Sequence, residues 1–294
     1  MIRKFRRPVP ARAAIAAAVA LLVTACSAGT DTARPTGTRA AAVTPAGLDR
    51  ALPDDPVSMV LPATGAETRW TQGLYVFGQQ VNRVVAADCA RSGGFALPDE
   101  VPLAFIRFFA LPDLDFIARH GLSTSAGVPV VASTTVPTTA RTGSAAQVRR
   151  CRAEGTKAAA ALSDLYLPLE QRWFGELGSV DTASATVRAR RGLSGCLAGR
   201  GVPARDEKTF MAVADARQQT AAPADVTATE RDLGRVYATC MRPVEAVREP
   251  ARLSLRTRFL TEHAAEIRTL RDRLFPALRA AEKRYGVPLA FPRP

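Results

Sequence analysis

The chain has 294 residues and a formal net charge of +13, and five of its basic residues lie within the first twelve positions, which contain no acid. Removal of that segment leaves a charge of +8, with the basic residues scattered and almost all arginine, which argues against a nucleic-acid-binding protein. A weak attraction to anionic lipid headgroups or wall polymers fits such a surface better. Because no CxxC spacing occurs and only two residues are histidine, we expect neither a metal site nor a cofactor.

A leader sequence occupies residues 1–25. After the basic start, residues 13–23 are continuously apolar, and residues 23–26 read Val-Thr-Ala-Cys. This order is typical of a secretory signal peptide, and eleven apolar residues are too few for a membrane-spanning helix, which needs about 20. The tetrapeptide resembles a bacterial lipobox, so we expect Cys26 to carry a lipid that anchors the protein to the extracytoplasmic face of the cell membrane. An ordinary secretory signal with an incidental Cys26 is the alternative.

A low-complexity segment follows the leader. Residues 27–57 consist mainly of Ser, Thr, Gly, Ala and Pro with isolated charges, and they show no helical or strand periodicity. Such a composition buries too little apolar surface to fold by itself. We therefore predict a flexible tether over residues 26–57 and a folded domain over residues 58–294.

The first predicted helix of the folded domain begins at a capping box, Thr64 to Glu67. Apolar residues then recur every three or four positions as far as Cys89, and Gly93 ends the pattern. This spacing predicts an amphipathic helix with a cysteine on the core-facing side of its last turn.

Two shorter segments also carry helix signals. Asp113 is placed to cap a short helix that closes at Gly121, and residues 145–162 have high helix propensity, interrupted at Gly155. Residues 122–144, rich in Ser, Thr, Pro and Val, are interpreted as a mobile loop.

The second part of the chain continues the helical pattern. Asp181 is expected to cap a helix through Cys196, and a second capping box at Thr227 is expected to start a helix that Pro243 ends. From Ala251 onward, apolar residues recur every seven positions, which predicts one long core-facing helix, kinked or broken near Pro276. We therefore predict an all-α fold, a helical bundle of about five to seven helices.

Four cysteines remain once Cys26 is assigned to a lipid, and an even number in an exported chain favours two disulfides. Residues 89–95 and 196–202 resemble each other, since each places a cysteine, then glycine, then an apolar residue at a helix end. This likeness suggests two related halves, 58–162 and 163–294, each braced by one disulfide. The pairs would be Cys89–Cys151 and Cys196–Cys240, although the other two pairings remain open.

The same segments carry a resemblance to a family of uncharacterised actinobacterial secreted proteins and lipoproteins. It covers roughly residues 59–121 and 180–285, and it rests on residues 89–95, 119–121, 196–202 and 230–240. The Cys-Met pair common in that family stands here only at Cys240-Met241. The resemblance implies a mostly helical exported protein and no established activity.

A search for catalytic residues finds no complete set. No Gly-x-Ser-x-Gly elbow, Walker-type loop, dinucleotide fingerprint or EF-hand loop occurs, and neither His120 nor His263 is expected to be catalytic. The available pairs of carboxylates are Asp113 with Asp115, Glu170 with Glu176, and Glu262 with Glu266. The last pair shares a helical face flanked by arginines, which favours a solvated surface. The adjacent aromatics Trp173 and Phe174 are the candidates for an exposed binding patch.

These observations favour a lipid-anchored helical protein of the cell envelope that is not an enzyme. It would act as a binding or structural module whose partner is an envelope protein or a wall component, and it would not bind nucleic acid. The alternative is an envelope-acting enzyme or ligand-capture protein whose carboxylates converge in a cleft only in three dimensions.

Overall fold

The computed structural model describes residues 46–98, 101–122, 127–129 and 141–294. Helices dominate these residues, which confirms the predicted all-α fold. In chain order the elements are β1 (Leu48–Asp49), α1 (Val57–Val60), α2 (Thr68–Ser92), α3 (Leu114–His120), α4 (Ala145–Ser163), α5 (Leu167–Thr182), α6 (Ser184–Arg190), α7 (Leu193–Ala198), α8 (Glu207–Thr220), α9 (Val226–Glu262), α10 (Ala264–Tyr285) and β2 (Phe291–Pro292). Within the described ranges, no helix combines the length and the apolar character needed to cross a membrane.

The folded domain begins earlier than expected, so the predicted end of the tether at residue 57 is wrong. β1 pairs antiparallel with β2, with Leu48 opposite Pro292 and Asp49 opposite Phe291. Val57 is buried and begins α1. This pairing joins the two ends of the folded domain over only two residues of each strand, too few to produce a recognisable alternation in the sequence. The predicted leader, Cys26 and the earlier part of the tether lie outside the described residues.

The larger hydrophobic core, here called the first core, lies between α1, α2, α5, α10 and the C-terminal part of α9. The predicted apolar face of α2 is confirmed, since Leu74, Phe77 and Val81 are almost fully buried. The C-terminal part of the chain closes this core, and a Cβ at Gly73 would lie 2.2 Å from the ring of Phe291. The glycine therefore allows β2 to pack directly on α2. α10 contributes four buried side chains to the first core, those of Ile267, Leu270, Leu274 and Leu278.

A second core lies between α3, α7, α8 and the N-terminal part of α9, around the fully buried Leu197, Phe210 and Met241. α3 comes from the first of the two possible halves and the remaining helices come from the second. The first core also mixes the two, and residues 58–294 belong to one compact unit. The possible boundary between residues 162 and 163 is therefore not a domain boundary, because each core contains helices from both sides of it. The 37-residue α9 contributes to both cores.

Proline does not end the last helices where the sequence suggested. α9 runs through Pro243 and Pro250 to Glu262, and α10 runs through Pro276. Each internal proline removes a backbone hydrogen bond at a cost of about 3 kcal/mol, which the burial of one whole helix face offsets. The predicted long last helix is instead divided at His263, whose backbone is not helical (φ −109°, ψ 27°).

Several predicted helix signals are confirmed. The hydrogen bonds of the Thr64 box are formed, with the Thr64 N–H donating to the Glu67 carboxylate at 3.1 Å and the Glu67 N–H donating to the Thr64 hydroxyl at 3.4 Å. They close the turn before α2, which begins at Thr68 without a side-chain cap, so the predicted helix start at Thr64 is wrong. Asp113 caps α3 by accepting from the Phe116 N–H at 2.9 Å. α4 is not interrupted at Gly155, where a Cβ would lie 2.3 Å from the Asn82 carbonyl oxygen of α2. That glycine permits close packing of α4 on α2.

Two other predicted caps are wrong. Asp181 lies near the end of α5 rather than at the start of a helix, and the segment through Cys196 forms two helices, α6 and α7. Thr227 lies inside α9, which begins at Val226 without a side-chain cap. In both places a longer amphipathic helix takes up residues that locally resemble a cap. Most of the predicted loop over residues 122–144 lies outside the described residues.

Both suggested disulfides are formed. Cys89–Cys151 joins α2 to α4, and Cys196–Cys240 joins α7 to α9. Their Cα–Cα distances of 5.4 and 5.6 Å lie in the usual range. Each bond therefore links a shorter helix to one of the two long helices.

The two similar cysteine–glycine segments end their helices with the same backbone motif. The Phe95 N–H donates to the Ala90 carbonyl at 3.1 Å, and the Val202 N–H donates to the Leu197 carbonyl at 2.9 Å. The glycine before each apolar residue has a positive φ, +71° and +75°. A glycine in the left-handed backbone conformation, followed by a buried apolar residue, is a common way for an α-helix to end. The likeness stops there, since α2 has 25 residues and α7 has six.

Candidate functional site

Six charged side chains, three arginines and three carboxylates, form an ion network between α5, α6, α8 and α9 that is most buried around Arg248. Arg190 of α6 lies 3.0 Å from Asp181 Oδ1 and 3.4 Å from Glu207 Oε2. Glu245 accepts hydrogen bonds from two arginines of its own helix, at 2.9 Å from Arg248 and 2.5 Å from Arg252. Arg248 Nη2 also lies 2.6 Å from Asp181 Oδ1 and 3.1 Å from Glu207 Oε2. Spacings of three, four and seven residues place the α9 members on one face of the helix.

The carboxylates of the network favour the charged form of Arg248. Burial opposes the charge of Arg248, but Glu207, Asp181 and Glu245 outweigh this effect and raise its pKa. Arg252 Nε donates to the Ala63 carbonyl at 2.8 Å, which ties α9 to the segment before α2. The network therefore stabilises the packing of α5, α8 and α9, and its charges are balanced internally. A cavity of about 170 Å³ borders it at Asp181 and Arg252.

Glu170 presents the opposite situation, a buried carboxyl without a counter-charge. It lies in the first turn of α5 and is 1 % exposed. Within the described residues, neither of its oxygens accepts a hydrogen bond of normal geometry, and the Tyr75 hydroxyl is the polar group that acts on its pKa. Burial raises the pKa of Glu170 to about 7, and the Tyr75 hydroxyl acts in the opposite direction. This carboxyl can therefore change its protonation state near neutral pH.

Two tyrosines separate Glu170 from a surface cavity. Burial, followed by the nearby charge of Glu170, raises the pKa of both Tyr75 and Tyr166. The same tyrosines, with Gln79, Asn82 and others, line an open cavity of about 210 Å³. A carboxyl that titrates near neutral pH thus lies behind the wall of a cavity, an arrangement that is more frequent at functional sites than elsewhere.

The carboxylate pairs noted in the sequence do not stay together as pairs. Glu170 and Glu176 lie six residues apart on α5, which places them on different sides of the helix. Glu266 is ion-paired with Arg172 of α5. Glu262 instead lies beside Glu176 of α5 and the adjacent His263.

A mixed cluster forms where α9 meets α10. One ligand atom from each of Glu176, Glu262 and His263 lies within 4.8 Å of the others. Glu262 is exposed, whereas Glu176 and His263 are half-buried. A histidine with two carboxylates is a donor set that divalent metal ions use in proteins. This convergence involves α5 and the α9–α10 corner, so it depends on tertiary packing alone.

The predicted aromatic patch is wrong for Trp173. Its side chain is fully buried in the first core, its Nε1 donates to the Pro62 carbonyl at 2.9 Å, and its ring packs edge-on against Phe259 at 5.5 Å. Phe174 is half-buried and stacks on Phe108 at 5.5 Å. Adjacent residues of a helix point about 100° apart, so only one of them can face the core fully. The four predicted disulfide cysteines are confirmed, and Cys26 lies outside the described residues.

Sequence reasoning named Glu170 only as one of a pair of carboxylates and missed its burial, and it missed the α9 network. Glu245, Arg248 and Arg252 have a helical spacing that could have shown one charged face, but the predicted break at Pro243 and the restart at Ala251 concealed it. Glu170 has no comparable local signal, since a single acid in the first turn of a helix is normally exposed.

Comparison with protein-family models, with curated proteins and with solved structures found no match to this chain. The resemblance to the actinobacterial lipoprotein family stays a prediction.

Proposed function

We propose that the protein is anchored to the extracytoplasmic face of the cell membrane through a lipid on Cys26, and that its helical domain serves there as a non-catalytic binding or structural module. The basic and apolar leader followed by the Val-Thr-Ala-Cys tetrapeptide supports the anchor. The partner would be a protein or wall component of the cell envelope.

The observation that carries this proposal is the pair of disulfides. All four cysteines that follow Cys26 are paired, each bond joining two helices of the folded domain. Protein disulfides persist in oxidising compartments and are rare in the reducing cytosol. The pairing therefore supports a folded domain outside the cytoplasm, on the side to which a lipobox leader would deliver it.

The charged groups of the domain support a non-catalytic role. The three arginines and three carboxylates of the network around Arg248 balance one another. Among the groups that shift the pKa of Glu170, there is no second carboxylate and no histidine. A glycosidase-type pair or a hydrolase triad would need such a partner.

Lipidation is tested by expressing the chain in a bacterium that matures lipoproteins, in the presence of an alkyne-labelled fatty acid. The wild type and a Ser27→Ala control should incorporate the label, sediment with membranes and lose residues 1–25, whereas Cys26→Ala should not incorporate the label. An uncleaved leader on the wild type, or equal labelling of Cys26→Ala, would contradict the anchor.

The compartment is tested separately by peptide mass spectrometry of the exported protein without reduction. Linked peptides containing Cys89 with Cys151 and Cys196 with Cys240 are expected. Four alkylatable thiols in the exported protein would argue against an oxidising compartment.

A ligand-capture protein or envelope-acting enzyme is the second candidate, and the cavity in front of Glu170 is the observation that favours it. Pull-down from the envelope with the wild type and with Cys26→Ala tests the binding module. Recovery of the same partner by both would show that the folded domain makes the contact. Loss of every partner from Cys26→Ala would contradict that role.

A further inference from the structure

We propose that Glu176, Glu262 and His263 bind a divalent transition-metal ion, with Zn²⁺ as the expected type, where α5 meets the corner between α9 and α10. This site is independent of the membrane anchor and revises the sequence-based expectation of no metal. That expectation considered only neighbouring positions, whereas these ligands come from two distant parts of the chain.

The distances allow coordination with small side-chain movements. One oxygen of each glutamate and one ring nitrogen of His263 lie within 4.8 Å of one another. Tetrahedral Zn²⁺ with bonds of about 2.0–2.1 Å needs its ligand atoms about 3.4 Å apart. Rotation of the two glutamate side chains, which end in flexible torsions, closes that difference without moving the helices.

The charges at the cluster are suited to a cation. Within the described residues, neither Glu176 nor Glu262 forms an ion pair, whereas the neighbouring Glu266 is paired with Arg172. Arg258 lies four residues before Glu262, a spacing that often gives a pair on a helix, yet Glu262 lies beside Glu176 instead. Two unpaired carboxylates this close repel each other, and a divalent cation between them would remove that repulsion.

A third carboxylate, that of Glu266, orients the ring of His263. Glu266 Oε1 lies 3.4 Å from His263 Nδ1, and the Phe259 ring packs on the imidazole at 4.3 Å. A proton held on Nδ1 by Glu266 leaves the lone pair of Nε2 for the metal, as in the carboxylate–histidine–metal arrangements of known sites. Glu266 is itself held by Arg172 of α5. An imidazole nitrogen in the donor set favours a transition metal over Ca²⁺ or Mg²⁺.

Binding would have a structural consequence. Glu176 belongs to α5, and the other two ligands lie at the end of α9, so the metal would link α5 to the corner that replaces the predicted continuous helix. Three protein ligands leave at least one coordination position for water or another ligand.

The test is titration of the chelator-treated full-length protein with Zn²⁺ by calorimetry, and with Co²⁺ by visible absorption. One equivalent of either metal should bind, and Co²⁺ should give the d–d bands of a site with nitrogen and oxygen ligands. His263→Gln and Glu262→Gln should each weaken Zn²⁺ binding about tenfold or more, and Glu266→Gln should weaken it less.

Two matched controls should bind as the wild type does. Asp272→Asn removes an exposed carboxylate of α10, and His120→Gln removes the other histidine of the chain. Near-ultraviolet circular dichroism establishes that each variant is folded. The absence of stoichiometric binding by the wild type, or equal affinity in Glu262→Gln and Asp272→Asn, would overturn the proposal.

Discussion

Glu170 and Arg248 are both buried charged residues, but their surroundings differ. Arg248 is 2 % exposed and lies against three carboxylates, which raise its pKa despite the burial. Glu170 is 1 % exposed, and no cation contributes to its pKa, which burial raises to about 7. A charge that is removed from water either gains partners or loses the charged form near neutral pH.

Arg248 therefore has a structural role, whereas Glu170 responds to pH. The Arg248 network surrounds its arginine with carboxylates that raise the pKa of Arg248, and it holds α5, α8 and α9 together. Glu170 changes its protonation near neutral pH within the first core, beside tyrosines that line a surface cavity. Four substitutions test the contrast.

The most severe test removes the shared partner of the network. Glu245→Gln leaves Arg248 and Arg252 without their common carboxylate, and we expect a loss of about 3–5 kcal/mol in the free energy of unfolding. Urea unfolding monitored by circular dichroism measures the change. The control is Glu249→Gln, which replaces a half-buried acid of the same helix that forms no ion pair in the described residues, and it should change stability by less than about 0.5 kcal/mol. Similar losses in both variants would mean that the network does not stabilise the packing.

The second test concerns Glu170, whose pKa no cation lowers. The pKa of Glu170 in the folded protein, about 7, lies above the ordinary value of 4.5. The folded state therefore binds this proton more tightly than the unfolded chain does, and the contribution of Glu170 to stability falls as the pH rises between these two values.

Glu170→Gln should remove that dependence. At pH 8 the variant should be more stable than the wild type by about 2–3 kcal/mol, whereas at pH 4 the two should be similar. Denaturant unfolding at both pH values measures the difference. A constant difference across this range would show that Glu170 does not titrate in it.

A smaller effect should follow from Tyr75→Phe. The Tyr75 hydroxyl lowers the pKa of Glu170, so its removal should move the pH dependence of unfolding to higher pH and cost about 1 kcal/mol at pH 8. The same unfolding series provides the measurement. Phe in place of Tyr75 in a Glu170→Gln background should show no shift, and a shift there would exclude Glu170 as its origin.

The smallest effect is expected at a surface ion pair. Asp55 accepts from Arg271 Nη2 at 2.7 Å, and both side chains are at least 40 % exposed. Burial raises the pKa of Asp55, but the hydrogen bonds from Arg271 and the Val57 N–H, together with the charges of Arg271 and Arg256, outweigh this and lower it. Asp55→Asn should therefore cost only about 0.2–1 kcal/mol at pH 7, and less in high salt. A loss as large as that of Glu245→Gln would remove the distinction between buried and exposed pairs.

Local patterns identified several elements correctly. The Asp113 cap, the apolar spacing of α2 and the hydrogen bonds of the Thr64 box depend on residues within a few positions, so their physics is complete within a short window. The same holds for the helix ends after Cys89 and Cys196. The box forms in the turn before α2 rather than at its first residue. Local signals also gave a wrong prediction. Pro243 has the local properties of a helix end, but it lies within α9.

The sequence by itself therefore determined the helical class, the apolar faces of the main helices and the helix-end motifs that follow two of the cysteines. Only the tertiary structure decided which polar residues meet. Glu176 reaches Glu262 and His263, Arg248 reaches Asp181 and Glu207, and Glu170 loses its water because helices distant in the chain pack around them. Desolvation and ion pairing depend on all the atoms within a few ångströms in space, and no periodicity along the chain records them.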